Sequence, residues 1–492
     1  MKKPFSISQT LSRIAGVTLV ALSLAQQPAQ AQTPDSVDVF LQEIMQQRAI
    51  PGMQVAVVRK GEIIKLGAYG VASLEHDVPV TNETTFSLNS ITKAFTGVAL
   101  LQLVEDKKLD LNAPASKYLD HLPASWQSVT VKQLASHTAG LPNVLDPNTG
   151  EWTFQRMGDA GWTQVLSQPN EFAAGEKFSY NQTGYVLLGQ IIDKLAGKPF
   201  IEFIKERQLQ AVGVQKTGFA DFSEVVPGLA KPYAVRNRKH MNVAEHFPAA
   251  TRTAAGMYST AQEVAQWTIA LQKGKLLKAT SLPALWASVP LQNGKLGGFT
   301  KLVNGYGIGW TTMTRAAHPA VGGIGGGRSA FFMYPEDDLT IILLTNRMGS
   351  APESFIDEVA SFYVPSMKPS TGFGLPEEVL VLHKAFTKKG FDHAEKLVQE
   401  MKKKDKKYHV AEADLNDWGY LLWKQGQLPK ALAVFKLTTS LFPNSGNAFD
   451  SYAEALVASG QKDLAIQNYK RALALNPKNS GAIKQLQALE AK

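Results

Sequence analysis

The sequence contains no cysteine, and this absence excludes several kinds of structure. Disulfide bonds, thiolate zinc sites, iron–sulfur sites and a lipid anchor on cysteine all require a thiol. Histidines are scattered, since the closest two of the nine are His240 and His246 and no HExxH motif occurs. A GxSxG nucleophile elbow is also missing, which argues against an α/β-hydrolase fold. We therefore expect no metal ion and no organic cofactor, and we expect no nucleic-acid partner.

Long apolar runs are missing as well, apart from a short one near the N-terminus. Three basic residues precede the apolar stretch 14–25, and Ala29-Gln30-Ala31 has the small-x-small form of a cleavage site. About 12 apolar residues fall well short of the roughly 20 that a membrane-spanning helix needs. We therefore predict a signal peptide over residues 1–31 and a periplasmic or secreted protein with no transmembrane anchor after cleavage. Its net charge falls from +9 to about +6, on the arithmetic 9 − 3.

The C-terminal part repeats itself at an interval of 34 residues. Trp418, Leu422, Gly426, Ala431, Phe435 and Pro443 recur as Tyr452, Leu456, Gly460, Ala465, Tyr469 and Pro477. The pattern fits two helices joined at the glycine, with alanine at a close helix crossing and proline after the second helix. It resembles the tetratricopeptide repeat, and residues 381–400 look like a degenerate earlier unit. Such a short array is either a docking surface for a protein partner or a helical cap that stabilises its neighbour.

A change in composition marks the boundary before these repeats. Residues 364–380 contain three prolines and two glycines, which is typical of a linker. We therefore predict a mixed domain of helices and strands over residues 32–363 and an all-α helical-repeat domain over residues 381–492.

The mixed domain shows strand and helix patterns in alternation. Residues 53–59 and 62–69 are strand-like around a turn at Lys60-Gly61, and residues 329–334 and 339–345 are strands on either side of a second turn. Residues 91–105 follow helical spacing and are almost wholly apolar, which predicts a buried helix. Together these patterns predict an antiparallel sheet with helices packed on it.

The run Ser90-Ile91-Thr92-Lys93 carries the strongest chemical signal. Residues three apart at the start of a helix share a face, so the Lys93 ammonium can lie beside the Ser90 hydroxyl. Burial and the helix dipole lower the pKa of such a lysine and stabilise negative charge near the serine. A nearby base and a positive potential are what a serine needs to act as a nucleophile.

A second signal is Tyr180-Asn181-Gln182, on a loop just ahead of an apolar helical run. A phenol is a usable general base if cations such as Lys93 lower its pKa, and a neighbouring amide can hold a substrate carbonyl.

The glycine run 322–329, GGIGGGRS, differs by one residue from the phosphate-binding pattern GxxxxGK[ST]. A phosphate loop follows a strand and opens a helix, whereas these glycines open the strand-like stretch SAFFMY. The position that needs lysine is Arg328. We therefore interpret the run as the start of a strand and not as a phosphate loop.

Several stretches resemble the serine β-lactamases and penicillin-binding-protein-related hydrolases of the class C type. They are FSLNSITKAFTGVALLQLVEDKKLDLNAPASKYL, LASHTAGLP, FSYNQTGYVLLGQIID, AAGMYSTAQEVAQW and YGIGW, in the family's order between about residues 50 and 346. The resemblance implies an α+β fold. An antiparallel five-stranded sheet flanked by helices would pack against a helical subdomain, with the active site in the cleft between them.

By position, the resemblance implies that Ser90 forms an acyl-enzyme and that Lys93 and Tyr180 move protons. The Ser90 amide and an amide of the strand at the glycine run would form the oxyanion hole. His137, in SHTAG, would anchor a loop. Gln182 stands where the family has asparagine, so we expect a substrate-binding amide with altered pocket geometry.

The family's third motif, Lys-Thr-Gly or His-x-Gly, is replaced by the glycine run. We expect Gly325 and Gly326 to let substrate approach the strand closely. Arg328 then has two interpretations: a guanidinium that binds a substrate carboxylate, or a solvated strand residue.

These observations predict an exported serine hydrolase that acts on a cyclic amide such as a β-lactam, a D-amino-acid peptide or an ester. Loss of the third-motif cation favours esters and small peptides. The alternative is an inactive penicillin-binding-like scaffold whose repeats recruit a protein partner; intact Ser90, Lys93 and Tyr180 argue against it.

Overall fold

The computed structural model describes residues 35–146, 151–153, 157–221, 223–424 and 426–490. The predicted signal peptide lies outside these residues. None of the helices in the described ranges combines the length and the apolar composition that a membrane crossing requires.

One antiparallel sheet forms the centre of the N-terminal part. Its strand order is β3-β2-β1-β13-β12-β11-β10-β9. The strands of this sheet are β1 (Gly52–Arg59), β2 (Glu62–Ser73), β3 (Val78–Pro79), β9 (Gly305–Tyr306), β10 (Thr311–Met313), β11 (Ala320–Gly325), β12 (Ser329–Tyr334) and β13 (Leu339–Thr345). The five strands of six or more residues form the predicted five-stranded sheet, and three short strands extend it at its edges.

Five further short strands lie outside the central sheet. They form a three-stranded sheet of order β4-β8-β5 and a two-stranded ribbon of β6 and β7. Their bounds are β4 (Phe86–Ser87), β5 (Gly218–Phe219), β6 (Tyr233–Arg236), β7 (Lys239–Asn242) and β8 (Met257–Ser259).

The central strands are buried on both faces because helices cover both sides of the sheet. Strands β12 and β13 are buried at every position, as their unbroken apolar sequences require. Alternate residues of β1 therefore belong to different cores: Ala56 and Val58 face one hydrophobic cluster, and Val55 and Val57 face the other.

The helices of this part fall into two sets. The larger set covers the face on which Ala56 lies, and it includes the almost wholly buried helix α2. Helices α1 and α9 cover the other face. The bounds are α1 (Ser36–Gln47), α2 (Thr92–Glu105), α3 (Val131–Ala135), α4 (Asp159–Ser167), α5 (Thr183–Ala196), α6 (Phe200–Ile204), α7 (Ala261–Gln272), α8 (Leu282–Trp286) and α9 (Ile356–Ser361).

The C-terminal part is entirely helical in the described residues. Its helices are α10 (Glu377–Lys389), α11 (Ala394–Lys404), α12 (Glu412–Lys424), α13 (Leu428–Leu441), α14 (Gly446–Ala458), α15 (Lys462–Leu475) and α16 (Ser480–Glu490). Corresponding helices begin 34 residues apart, at 412 and 446 and at 428 and 462. Ala431, at the predicted close crossing, is fully buried in the core of this part.

The segment between the two parts is packed rather than free. Met367 is buried in the hydrophobic cluster of α1 and α9, and Phe373 packs against the same cluster. Ser366 Oγ lies 3.0 Å from His318 Nε2, while His318 Nδ1 lies 2.8 Å from Asp337 Oδ2. Leu375 then joins the core of the helical part. The predicted linker therefore spans two hydrophobic cores and is fixed to both.

Candidate active site

Ser90 lies in a turn of 3₁₀-helix, Asn89–Ile91, that leads directly into α2. Asn89 has a φ of +49°, a left-handed conformation that asparagine tolerates better than most residues. The hydroxyl of Thr92 donates to the Asn89 carbonyl at 2.6 Å and closes the turn. The half-buried Ser90 is thus held at the N-terminal end of a buried helix, where the sequence pattern predicts it.

Lys93 is placed beside Ser90 by the first turn of α2. Its Nζ donates to Ser90 Oγ at 3.2 Å and to the carbonyl oxygen of Ala254 at 2.9 Å. The side chain is 0% exposed. Burial therefore lowers the pKa of Lys93 well below its ordinary value, because the charged ammonium loses its hydration. The lowered pKa makes Lys93 a candidate base.

Tyr180 completes a group of three side chains. Its phenol forms side-chain hydrogen bonds with Ser90 and Gln182, and Lys93 Nζ lies 4.8 Å from the centre of its ring. Burial raises the pKa of Tyr180 to about 12, and those two hydrogen bonds only partly oppose the rise. This differs from the prediction that nearby cations lower the pKa, because the nearest amine is itself desolvated. The resting phenol is protonated and is suited to donate.

His137 fixes the loop that carries Tyr180. Its Nδ1 accepts a hydrogen bond from the backbone N–H of Asn181 at 3.1 Å, and its carbonyl oxygen accepts one from the N–H of Ser179 at 2.9 Å. Its ring lies 4.3 Å from that of Tyr180, centre to centre. Burial lowers the pKa of His137, so the ring is neutral. These contacts are those of a loop anchor.

Gln182 lies on the same side of the site as Tyr180. The side chain is 6% exposed, and its backbone N–H donates to Asn143 Oδ1 at 3.1 Å. Its Oε1 is buried and has no hydrogen-bond partner among the described residues. The longer amide thus reaches Tyr180 and keeps one acceptor unused.

The glycine run forms the end of one strand, a tight turn and the start of the next strand. Gly326 and Gly327, with φ of +57° and +61°, make the turn between β11 and β12. A Cβ atom on Gly325 would lie 1.9 Å from the carbonyl oxygen of Leu88, and one on Gly326 would lie 2.9 Å from the side-chain amide of Asn89. The structure gives Gly325 and Gly326 a packing role that differs from the expected one, and their contact with substrate stays a prediction. These glycines let the strand pack on the chain that precedes Ser90.

Arg328 also differs from both of its interpretations. It is 1% exposed and forms an ion pair with Glu245. The Asn89 amide, oriented by this network, accepts from Arg328 Nη2 at 2.6 Å and from Nε at 2.9 Å and donates to Glu245 Oε1 at 3.0 Å. The guanidinium is neither solvated nor available to a substrate carboxylate. It connects β12 to the residue before Ser90.

Three groups at the site were not predicted from the sequence: Asn89, Glu245 and the Ala254 carbonyl. Asn89 did carry a signal, because asparagine directly before a candidate nucleophile fits a left-handed residue. Glu245 and Ala254 carried none, since they reach the site only through the tertiary fold.

The fold and the serine–lysine–tyrosine group are typical of hydrolase-like proteins. Comparison with known families identifies the same class. The family model described as Beta-lactamase matches residues 37–363. The chain therefore belongs to the beta-lactamase family; the class C type stays a prediction.

Similarity to individual relatives is lower and partial. Protein flp of Staphylococcus aureus (strain MW2) is 26% identical over 187 residues, which are 37% of this chain and 38% of that protein. Putative penicillin-binding protein PbpX of Bacillus subtilis (strain 168) is 29% identical over 227 residues, 46% of this chain and 56% of that protein. The chain thus spans less than two thirds of the length of these curated relatives.

Solved structures support the fold. The octameric penicillin-binding protein homologue from Pyrococcus abyssi has a TM-score of 0.59 at 23% identity, covering 71% of this chain and 81% of that chain. The hydrolase EstCE1 has a TM-score of 0.55 at 22% identity, covering 66% and 98%. D-amino acid amidase from Ochrobactrum anthropi SV3 has a TM-score of 0.55 at 23% identity, covering 67% and 98%.

Proposed function

We propose that the protein is an exported serine hydrolase that forms an acyl-enzyme on Ser90. The observation that carries the proposal is the geometry of the site: Lys93 Nζ lies 3.2 Å from Ser90 Oγ and 4.8 Å from the centre of the Tyr180 ring. Burial lowers the pKa of Lys93 and raises that of Tyr180 to about 12. Groups whose environments push their pKa values apart can divide the roles of base and acid. Export rests on the signal-peptide pattern of residues 1–31.

In the proposed first half-reaction, Ser90 Oγ attacks the substrate carbonyl while neutral Lys93 accepts the hydroxyl proton. The tetrahedral oxyanion is stabilised by the Ser90 amide, at the start of the 3₁₀ turn, and by an amide of β11. The bond to the leaving group then breaks, and that group takes the Tyr180 proton. Lys93 returns its proton to Tyr180. Water attacks the ester in the second half-reaction and regenerates Ser90.

The substrate range follows from which cations are available. Arg328 is occupied by Glu245, and burial disfavours the charged form of Lys93. Among the described residues, Arg328 therefore offers no cation to a substrate carboxylate at the position of the third motif. This favours esters and neutral amides or small D-amino-acid peptides over carboxylate-bearing β-lactams. Likeness to EstCE1, a hydrolase with promiscuous acyltransferase activity, and to a D-amino acid amidase agrees with this range.

A second role is proposed for the C-terminal helices. Their pairs recur at 34 residues, the interval of the predicted tetratricopeptide-like repeats. We propose that this array recruits a protein partner. It can do so beside the hydrolase activity, or instead of it if the acyl site is inactive.

The direct test is intact-protein mass spectrometry after exposure to a fluorescent penicillin and, separately, to an activated short-chain ester. Ser90→Ala is the control. We expect rapid turnover of the ester that depends on Ser90. A persistent penicillin adduct would instead indicate a penicillin-binding or slowly deacylating enzyme. If neither reagent reacts in a Ser90-dependent way, the hydrolase proposal is wrong and the scaffold is favoured.

The proposed acid and base also set a pH dependence. The active form has unprotonated Lys93 and protonated Tyr180, so kcat/KM should rise with pH as Lys93 loses its proton. This rise is the ascending limb of the pH profile. The midpoint of that limb should lie below the ordinary lysine value of 10.5, since burial lowers the pKa. No fall is expected below about pH 10, because ionisation of Tyr180 requires a pH near 12. A pH profile with a neutral amide substrate checks this, and a limb centred at or above 10.5 would exclude Lys93 as the base.

A further inference from the structure

Four aromatic rings form a cluster that includes Tyr180 of the Ser90–Lys93–Tyr180 group. Phe299 lies 5.1 Å from Tyr180, centre to centre, and 5.6 Å from Phe178. Tyr306 lies 6.5 Å from Tyr180 and 5.9 Å from Phe178. Such edge-to-face and tilted contacts are attractive and fix ring positions. We call Phe178, Tyr180, Phe299 and Tyr306 the aromatic wall.

The wall is not part of the sealed core. Tyr306 is buried, but Phe178 and Tyr180 are only partly buried, and Phe299 is 43% exposed. The nearby Leu296 is 38% exposed. An exposed phenylalanine in contact with the proposed acid offers apolar surface to a molecule that enters the site.

The backbone holds Phe299 in place. Its N–H donates to the Val303 carbonyl at 2.8 Å. A Cβ on Gly297 would lie 2.2 Å from Phe178 Cβ, and one on Gly298 would lie 2.4 Å from the Val303 carbonyl oxygen. The loop therefore packs closely on Phe178, so the ring is presented on a built surface.

The proposed chemistry decides which part of a substrate meets this wall. A group that takes the Tyr180 proton must lie within hydrogen-bond reach of the Tyr180 hydroxyl when its bond to the carbonyl breaks. Phe299 packs against that same ring. The leaving group is therefore the substrate part that comes next to the aromatic wall.

We propose that the aromatic wall is a leaving-group subsite for an aromatic or large apolar alcohol or amine. The inference rests on the proposed hydrolase function and names its substrate class: esters and amides whose departing group carries an apolar ring or branched chain. In the step concerned, the Ser90 Oγ–carbonyl bond forms, the carbonyl–leaving-group bond breaks, and the leaving oxygen or nitrogen takes the Tyr180 proton. The departing ring is held against Phe299 throughout that transfer.

The test uses three esters and the full chain. Benzyl acetate and methyl acetate share an acyl group and release alcohols of similar acidity, so the ratio of their kcat/KM values reports contact with the leaving group. Methyl phenylacetate and methyl acetate give the corresponding ratio for the acyl side. Wild type is expected to favour benzyl over methyl by about tenfold or more, the scale of discrimination by an apolar pocket. Phe299→Ala should reduce that ratio by about fivefold or more.

Two further variants sharpen the result. Phe299→Tyr keeps the ring and should keep the leaving-group ratio. Phe362→Ala removes a phenylalanine of similar exposure, 37%, elsewhere on the surface and should leave both ratios unchanged. Thermal unfolding of each variant checks that the fold is retained.

The outcomes separate the two proposals. If hydrolysis depends on Ser90 but Phe299→Ala leaves the leaving-group ratio unchanged, the subsite is wrong and the hydrolase stands. A change confined to the acyl-side ratio also overturns the subsite as assigned. If none of the esters is hydrolysed in a Ser90-dependent way, and no activated ester labels Ser90, the hydrolase function itself fails.

Discussion

Replacement of Lys93 by methionine is expected to lower kcat/KM for ester hydrolysis by roughly 10³- to 10⁴-fold, the upper range for loss of a general base. Methionine keeps the length and apolar packing of the side chain but cannot accept the Ser90 proton. Because Ser90 and Lys93 act as one unit, the Ser90→Ala, Lys93→Met double variant should be no slower than the slower single variant. The two single variants and the double variant are compared by steady-state kinetics, with the uncatalysed rate subtracted.

Stability separates this loss from misfolding. Wild type must bury an amine that is charged in the unfolded chain; because burial lowers the pKa of Lys93, protonation favours the unfolded chain and costs stability below pH 10.5. Lys93→Met should therefore unfold at a temperature no lower than wild type near neutral pH, and any gain should shrink as pH approaches 10.5. Lys198→Met, at an exposed ion pair, is the matched control. Multiplicative losses in the double variant would show that the two residues do not act together.

Replacement of Arg328 by alanine is expected to lower the free energy of unfolding by about 3 kcal/mol, measured by chemical denaturation. The change leaves the largely buried Glu245 carboxylate without its cation and removes both donors from the Asn89 amide oxygen. Since Asn89 precedes Ser90 and has a left-handed φ, kcat should fall as well.

The control is a second arginine–carboxylate ion pair that is more exposed to solvent. Arg207 pairs with Asp106 at 2.9 Å, but both side chains are about a third or more exposed. Arg207→Ala should therefore cost less than about 1 kcal/mol. If Arg328→Ala costs no more than Arg207→Ala, the buried network does not support the turn that carries Ser90.

The elements that the sequence predicted well are those fixed by local patterns. Strands 329–334 and 339–345 were recognised from apolar runs on either side of a turn, and they pair as antiparallel neighbours. Ser90 and Lys93 were placed together by helical spacing alone, and the apolar character of α2 predicted the burial of Lys93.

The parts that sequence analysis missed depend on contacts between distant residues. The raised pKa of Tyr180 follows from desolvation by several elements, which no local pattern reports. Arg328 was taken for a surface or substrate-facing residue, because its partner Glu245 is far away in the chain. The packing of Gly325 on Leu88 was not foreseen, because the register that brings them together is set by the folded sheet.

The packed segment between the hydrolase part and the helical array bears on how the two could cooperate. Met367 and Phe373 attach it to one core and Leu375 to the other, so it does not behave as a random coil. For a flexible tether, the effective concentration of one module at another falls with the length of the chain between them. Here side-chain packing would set that concentration instead. If the array binds a partner, as proposed, the packed segment would hold that partner at a fixed distance from Ser90.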